Sequence, residues 1–149
     1  MKIIYVLLIL FCFSCTPSCD YPYRETLDKF LAKEVNYTIP QEETILIFLP
    51  LDGCNPCLQG TVKMLMESKA NNLDIVVSTK DNDTIKKFGL DKLDLPKNRI
   101  HHDTMNNYER YEMGIVAPMI FHFKDGKCVF HSETTDDKKS IIKKHFGWS

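Results

Sequence analysis

The sequence predicts an α/β fold in which a mixed four-stranded sheet is flanked by helices. Two short segments, 44–50 and 73–78, are apolar at nearly every position, as strands are when helices cover both faces of a sheet. The segment between them, 55–69, has apolar residues at helical spacing, so the two strands should run parallel. Further along, Asp125-Gly126 separates two more apolar runs, which predicts a hairpin of antiparallel strands.

The same patterns place the remaining elements along the chain. Amphipathic spacing indicates helices, short apolar runs indicate strands, and Gly89 and Gly114 are expected to end helices. The polar, proline-containing segment 90–99 receives no assignment. The further predicted elements are helix 25–35, helix 82–88, a candidate fifth strand at 100–103, a short helix at 106–113, the hairpin strands 119–123 and 128–132, and a closing helix at 136–146.

Length and charge limit the function classes. The chain has 149 residues and a formal net charge of −1, and it contains neither an internal repeat nor a low-complexity stretch. This length suits a single domain with a hydrophobic core. Nucleic-acid binding relies on a basic surface, which a nearly neutral chain does not provide, so no nucleic-acid partner is expected.

The N-terminus has the pattern of an export signal. Met1-Lys2 supplies positive charge, and the following residues up to Phe13 form an apolar run that is too short to span a bilayer as a helix. The run ends in Cys12-Phe13-Ser14-Cys15, which resembles the bacterial lipobox. An aliphatic and then a small residue are more common in that signal at the positions of Cys12 and Phe13.

The lipobox resemblance implies a lipid-anchored protein. Residues 1–14 would be a signal peptide, Cys15 would receive lipid, residues 15–23 would form a tether, and residues 24–149 would form the domain. The expected location is then the cell envelope, on a membrane and facing the periplasm. An ordinary secretory signal and an uncleaved membrane anchor are the alternatives.

The segment Cys54-Asn55-Pro56-Cys57 carries the chemistry. It follows the first buried strand and begins a helix, where free N–H groups and the helix dipole favour a thiolate. Two cysteines at this spacing can close a disulfide and open it again, which indicates thiol–disulfide exchange. A structural disulfide without turnover is the alternative. A zinc site needs more ligands than this pair provides, and the domain has no second motif of this kind, so no metal is expected.

Three pieces of sequence, in this order, resemble the thioredoxin superfamily over roughly residues 24–147. Cys54–Cys57 matches its active-site motif, including a proline before the second cysteine. Ala117-Pro118 matches its cis-proline, and the segment 121–127 matches the strand and turn that follow. The exported, lipid-anchored context is similar to the TlpA-like branch of envelope thiol–disulfide oxidoreductases.

The resemblance implies a role for each residue of the site. Cys54 would attack a partner disulfide, Cys57 would resolve the mixed disulfide, and Asn55 and Pro56 would tune the pair. Pro118, in a cis peptide, would lie against the disulfide, and the backbone of the residue before it, Ala117, would pair with substrate like an added strand. No cofactor is implied.

The same resemblance implies partners and leaves an alternative. Partners would be protein dithiol or disulfide substrates and a membrane or envelope thiol redox partner, with the reductase direction favoured and the protein a monomer. Two positions depart from the family, which usually has an aromatic residue at Gly53 and often a buried polar residue at Phe48. The alternative function is a redox-inactive, thioredoxin-like lipoprotein that binds a peptide or protein.

The other cysteines and histidines have no predicted part in catalysis. Cys128 is expected to be a small buried hydrophobic residue, and Cys19 has no assigned role. The histidines are expected at the surface, His122 and His131 on a solvated face of the hairpin and His145 on the last helix.

Overall fold

A computed structural model describes residues 19–68 and 70–149, so the predicted signal peptide and the lipidation site at Cys15 lie outside the described residues. One five-stranded sheet runs through the protein in the order β3-β2-β1-β4-β5. The helices are α1 (Arg24–Glu34), α2 (Asn55–Ser68), α3 (Asn82–Lys87) and α4 (Lys139–Phe146), and the strands are β1 (Thr44–Pro50), β2 (Leu73–Ser78), β3 (Ile100–Asp103), β4 (Met119–Lys124) and β5 (Lys127–Glu133).

The strand pairing confirms the predicted mixed sheet, including the short fifth strand. β1 runs parallel to β2 and antiparallel to β4, β2 runs parallel to β3, and β4 and β5 form the hairpin. The sheet therefore has two distinct ends. We call the end where β1 and β2 finish and β4 begins the Cys54 end. We call the opposite end, where Asp125-Gly126 joins β4 to β5, the hairpin end.

Both faces of β1 are covered, as its apolar sequence predicted, and all seven of its residues are buried. Alternate residues point to opposite faces, which separates two hydrophobic clusters. One face packs against α2 and α4 and contains Ile45, Ile47, Leu49, Leu58, Val62, Leu65 and Ile142. The other face packs against α1 and contains Leu46, Phe48, Leu27, Phe30, Leu31, Phe121 and Phe123.

Three predicted segments differ from the structure. The unassigned stretch contains two 3₁₀ turns, Leu90–Lys92 and Lys97–Arg99, and the helix predicted at 106–113 is only a 3₁₀ turn, Asn107–Arg110. The latter turn cannot grow because Asn106 has a left-handed backbone and Tyr111 is extended. α4 begins three residues later than predicted because Thr135 and Asp137 form a local side-chain hydrogen bond of 2.7 Å that belongs to a turn.

Within residues 19–68 and 70–149, no helix has the length and apolar character required to cross a membrane.

Candidate active site

A tight turn brings the Cys54–Cys57 segment to the end of the sheet. After β1, the Gly53 N–H donates to the carbonyl of Pro50 at 3.1 Å, and the Leu51 N–H donates to the carbonyl of Ser78 at 3.0 Å. A Cβ atom at position 53 would stand only 3.1 Å from the Pro50 carbonyl oxygen, so a larger residue would strain this turn. A side chain at position 53, where the family resembled in sequence usually has an aromatic residue, would therefore require a small shift of this turn.

Cys54 and Cys57 form a disulfide across the first turn of α2, with their Cα atoms 5.3 Å apart. Both residues are half-buried, and Asn55 and Pro56 between them are exposed. The Cys57 N–H donates to Cys54 Sγ at 3.3 Å, and the Cys54 carbonyl accepts from the Leu58 N–H at 3.0 Å. Cys54 therefore holds the cap position of α2, where its sulfur faces a free N–H group and the positive end of the helix dipole.

The segment before Pro118 borders this turn. The Val116 carbonyl oxygen lies 4.0 Å from the position that a Cβ of Gly53 would occupy, and the Val116 side chain is 76% exposed. The side chain of Ala117 is buried, and so is Pro118. The structure thus brings the Ala117-Pro118 segment to the Cys54 end, next to the turn that precedes the cysteine pair.

The expectation of a cis bond before Pro118 is wrong. No peptide bond among the described residues is cis, and the Ala117–Pro118 bond is trans. Trans is the lower-energy isomer of an X–Pro bond. The trans segment also places the Pro118 carbonyl where it accepts from the Thr134 N–H at 2.8 Å, with Thr134 Oγ1 at a distance of 3.2 Å.

Two threonines that the sequence analysis did not identify join Cys57 to Pro118. Thr61 Oγ1 donates to the Cys57 carbonyl at 2.7 Å, and its oxygen forms a short hydrogen bond with Thr134 Oγ1. Thr134 in turn contacts the carbonyl of Pro118. Both threonine side chains are fully buried. The sequence did offer one indication of this contact, because Thr61 places a hydroxyl on the apolar face of the predicted helix, four residues after Cys57.

The two hydroxyls have fewer protons than contacts. Each hydroxyl carries one hydrogen, but the chain Cys57–Thr61–Thr134–Pro118 contains three hydroxyl contacts. The Pro118 carbonyl already receives a backbone N–H. The best-satisfied arrangement therefore has Thr134 donating to Thr61, and Thr61 donating to the Cys57 carbonyl.

Phe48 occupies the position at which the family resembled in sequence often has a buried polar residue, and its surroundings are aromatic. Its fully buried ring lies edge-on to the rings of Phe30 and Tyr108, at centroid distances of 5.6 and 5.4 Å. A buried carboxyl lies elsewhere at the Cys54 end. Asp103, only 1% exposed, accepts from Ser78 Oγ at 2.7 Å, and its Oδ1 has no hydrogen-bond partner among the described residues.

The histidines of the hairpin are more buried than predicted. His122 is buried, so the expectation of a solvated position is wrong, whereas His145 is exposed as expected. A carboxylate only accepts, so His122 Nε2–H donates to Glu43 Oε1 at 2.8 Å, and Nδ1 accepts from His145 Nε2 at 2.9 Å. Hydrogen bonds from His122 and then Lys124 lower the pKa of Glu43, and burial lowers the pKa of His145.

A second disulfide fastens the N-terminal segment to the edge of the sheet. Cys19 is bonded to Cys128 of β5 across 109 residues of sequence, with Cα atoms 5.4 Å apart, and the Cys19 N–H donates to the Cys128 carbonyl. Cys128 is buried, as predicted, but as half of a disulfide. Tyr21 is buried as well, so part of the predicted tether packs on the domain. The signal available in the sequence was two cysteines without an assigned catalytic role in a chain predicted to be exported.

Comparisons with known proteins identify the fold. No protein-family model matches the sequence, and no curated protein matches it. Among solved structures, a secreted Mycobacterium tuberculosis disulfide oxidoreductase homologous to E. coli DsbE matches with a TM-score of 0.50 at 12% identity, over 72% of this chain and 81% of that chain. The chain therefore has a thioredoxin-like fold, as predicted, with a Cys54–Cys57 disulfide at the start of α2.

Two further structures are similar at lower scores. A thioredoxin-like protein from Bacteroides caccae matches with a TM-score of 0.47 at 17% identity, over 73% of this chain and 41% of that chain. An uncharacterized thioredoxin-like protein from Porphyromonas gingivalis matches with a TM-score of 0.45 at 18% identity, over 72% of this chain and 75% of that chain.

Proposed function

We propose that this protein is a thiol–disulfide oxidoreductase of the cell envelope that acts on protein substrates through Cys54 and Cys57. The observation that carries the proposal is the Cys57 N–H that donates to Cys54 Sγ at 3.3 Å, at the start of α2. In the reduced protein the same donor and the helix dipole would stabilise a Cys54 thiolate, which is the reactive form. Both cysteines are only half-buried, which leaves room for the approach of a partner.

The exchange proceeds in two balanced steps. The Cys54 thiolate attacks one sulfur of a client disulfide, forms a mixed disulfide and releases the other client sulfur as a thiolate that takes up a proton. Cys57 then loses its proton and attacks Cys54 Sγ, which releases the second client thiol. Two electrons pass from the protein to the client, and the Cys54–Cys57 disulfide remains. The reverse sequence oxidises a client dithiol.

The segment before Pro118 is the proposed docking surface for the client chain. Val116 is exposed beside the turn that contains Gly53, and its carbonyl faces that turn. Backbone groups of Val116 and Ala117 can pair with an extended client segment, and the small Ala117 side chain leaves space for the approach. The Thr61–Thr134 contacts hold this segment in a fixed position relative to Cys57.

The proposed location is the cell envelope, with residues 1–14 removed and a lipid on Cys15. The sequence motif supports the lipid. The Cys19–Cys128 disulfide supports an oxidising compartment, because disulfides that close long loops are rare where thiols are kept reduced. A membrane or envelope thiol protein would then restore the reduced state of the Cys54–Cys57 pair.

Two measurements test the proposal. The first is the reduction potential of the Cys54–Cys57 pair, which we expect on the order of −120 to −270 mV, the range of exchange-active thioredoxin-like pairs. The second is reduction of insulin by the reduced protein, with Cys54→Ser as the control. A potential below about −300 mV together with no turnover would indicate a permanent staple and the alternative of a redox-inactive binding protein.

A further inference from the structure

A β-bulge at the hairpin end places a cysteine and a histidine side by side. Cys128 pairs with Phe123 of β4, whereas His131, three residues later, pairs with Phe121, only two residues away. In a regular strand, residues three apart point to opposite faces of the sheet. The extra residue, Val129, puts Cys128 and His131 on the same face, the one covered by α1. Bulges of this kind re-aim side chains and recur at functional sites.

Cys19 completes a cluster of three ligand atoms with these two residues. His131 Nδ1 lies 3.4 Å from Cys19 Sγ, and the three atoms, one from each residue, all lie within 4.8 Å of one another. The Tyr21 ring, edge-on to the His131 ring at a centroid distance of 5.1 Å, holds the imidazole in place. A neutral imidazole nitrogen is among the commonest metal ligands in proteins.

We propose that reduction of the Cys19–Cys128 disulfide converts this cluster into a binding site for one thiophilic divalent cation such as Zn²⁺. Zinc bonds of about 2.3 Å to sulfur and about 2.0–2.1 Å to nitrogen, in tetrahedral geometry, separate sulfur from nitrogen by about 3.5 Å and two sulfurs by about 3.8 Å. The nitrogen–sulfur distance to Cys19 already fits. The two sulfurs need only move apart, which breaking their bond allows. Cys19 and His131 are half-exposed and leave space for water as a fourth ligand.

The chemistry balances with a dithiol as reductant. The dithiol supplies two electrons, becomes a disulfide and leaves Cys19 and Cys128 as thiols. The cation then displaces both thiol protons and accepts a lone pair from neutral His131. The oxidised pair cannot coordinate, so disulfide and metal are mutually exclusive states of one site. The Cys54–Cys57 pair takes no part in binding.

The experiment titrates Co²⁺ into the reduced full chain, kept in detergent, in which Cys12, Cys15, Cys54 and Cys57 are replaced by serine. We expect one Co²⁺ per chain, with the absorption of a tetrahedral thiolate complex that Zn²⁺ abolishes. The oxidised protein should bind none. The variant His131→Phe keeps an aromatic ring against Tyr21 and should bind about 10- to 100-fold more weakly. The matched control His102→Phe, on the opposite edge strand, should bind like the parent.

Three results would overturn the proposal. They are the absence of Co²⁺ binding by the reduced parent, equal affinity of His131→Phe and the parent, and equal binding by the oxidised protein. Circular dichroism of each reduced variant shows that it is folded, and Cys19→Ser provides a second ligand variant that should also lose binding. The assay does not depend on exchange activity, so it is independent of the proposed function.

Discussion

The two disulfides differ in almost every respect that decides what a disulfide does. The cysteines of the Cys54–Cys57 disulfide are three residues apart in sequence, whereas those of Cys19–Cys128 are 109 residues apart. The first lies at a helix N-terminus beside an exposed segment, and the second joins the N-terminal segment to an edge strand at the other end of the sheet. Short-range pairs at a helix start suit exchange, and long-range pairs stabilise a fold. Under the proposed function, redox exchange and the stapling of the fold lie at opposite ends of the sheet.

The largest expected difference is in exchange activity. Cys54→Ser should lower the rate of insulin reduction by about 1000-fold or more, because it removes the sulfur that we propose as the attacking group. Cys128→Ser should change that rate by no more than about twofold, since its sulfur lies at the hairpin end and plays no part in the attack. Stopped-flow or turbidity assays measure both. Equal losses in the two variants would mean that the two disulfides act as one system.

A trapping experiment sharpens the same contrast. Cys57→Ala leaves Cys54 without its resolving partner, so mixed disulfides with client proteins should accumulate on Cys54. Non-reducing electrophoresis of envelope extracts followed by mass spectrometry identifies them. The matched variant Cys128→Ala should trap none through Cys54. Absence of trapped clients in the Cys57→Ala variant would argue against protein substrates.

Stability should show the reverse order. In the chain-entropy description, removing Cys19–Cys128 with two serines lowers the free energy of unfolding by about 5 kcal/mol, whereas removing Cys54–Cys57 lowers it by about 2 kcal/mol. The difference arises because the longer loop restricts the unfolded chain more. Denaturant unfolding of the two double variants measures both values. A larger loss for the Cys54–Cys57 variant would refute the assignment of the long-range pair as the staple.

Substitution of Thr61 should have a smaller effect on stability and exchange rate, and this effect should be confined to the Cys54 end. Thr61→Val keeps the shape but removes the donor to the Cys57 carbonyl and the acceptor for Thr134, at a cost of about 1–3 kcal/mol in stability. We also expect exchange to slow by about two- to tenfold, because the Pro118 segment is held less precisely against the cysteine pair. Thr61→Ser restores a hydroxyl and should recover most of both losses. An unchanged exchange rate in Thr61→Val would limit the hydroxyl pair to stability.

Substitution of Glu43, at the hairpin end, should have the smallest effect on stability. Its pKa is lowered below its usual value near 4.5, first by the hydrogen bond from His122, so the folded state favours the carboxylate. This contribution is present above that value and disappears as pH falls through the lower pKa of the folded state. Glu43→Gln should therefore be slightly less stable than the parent at pH 7, with a difference that shrinks below about pH 4. Unfolding curves at several pH values test this, and the exchange rate should not change.

Most of the fold was predictable because its signals are local. The continuous apolar runs at 44–50 and 73–78, the helical spacing after Cys57 and the Asp125-Gly126 turn each determine an element without reference to the rest of the chain. The extent of α4 and the turn at Asn107–Arg110 were not predictable in the same way. There, side-chain hydrogen bonds and a left-handed Asn106 override the apolar pattern.

The site was predictable only in part. The cysteine pair is a contiguous motif, so its position followed from the sequence. The Thr61–Thr134 contact joins residues 73 positions apart, and the Cys19–Cys128 disulfide joins residues 109 positions apart. No local pattern encodes such pairings. The isomer of the bond before Pro118 was also mispredicted, because a resemblance in sequence does not determine the local backbone.

The Cys19–Cys128 bond also determines how a lipid at Cys15 would orient the molecule. Only four residue steps separate Cys15 from Cys19, so the chain between them can span at most about 14 Å. The Cys19–Cys128 bond attaches this short segment to the hairpin end of the sheet. The seven residues of β1 separate the hairpin end from the Cys54 end by about 23 Å. The hairpin end of the anchored protein would thus lie next to the bilayer, and the Cys54 end would face away from the membrane, where client proteins can reach it.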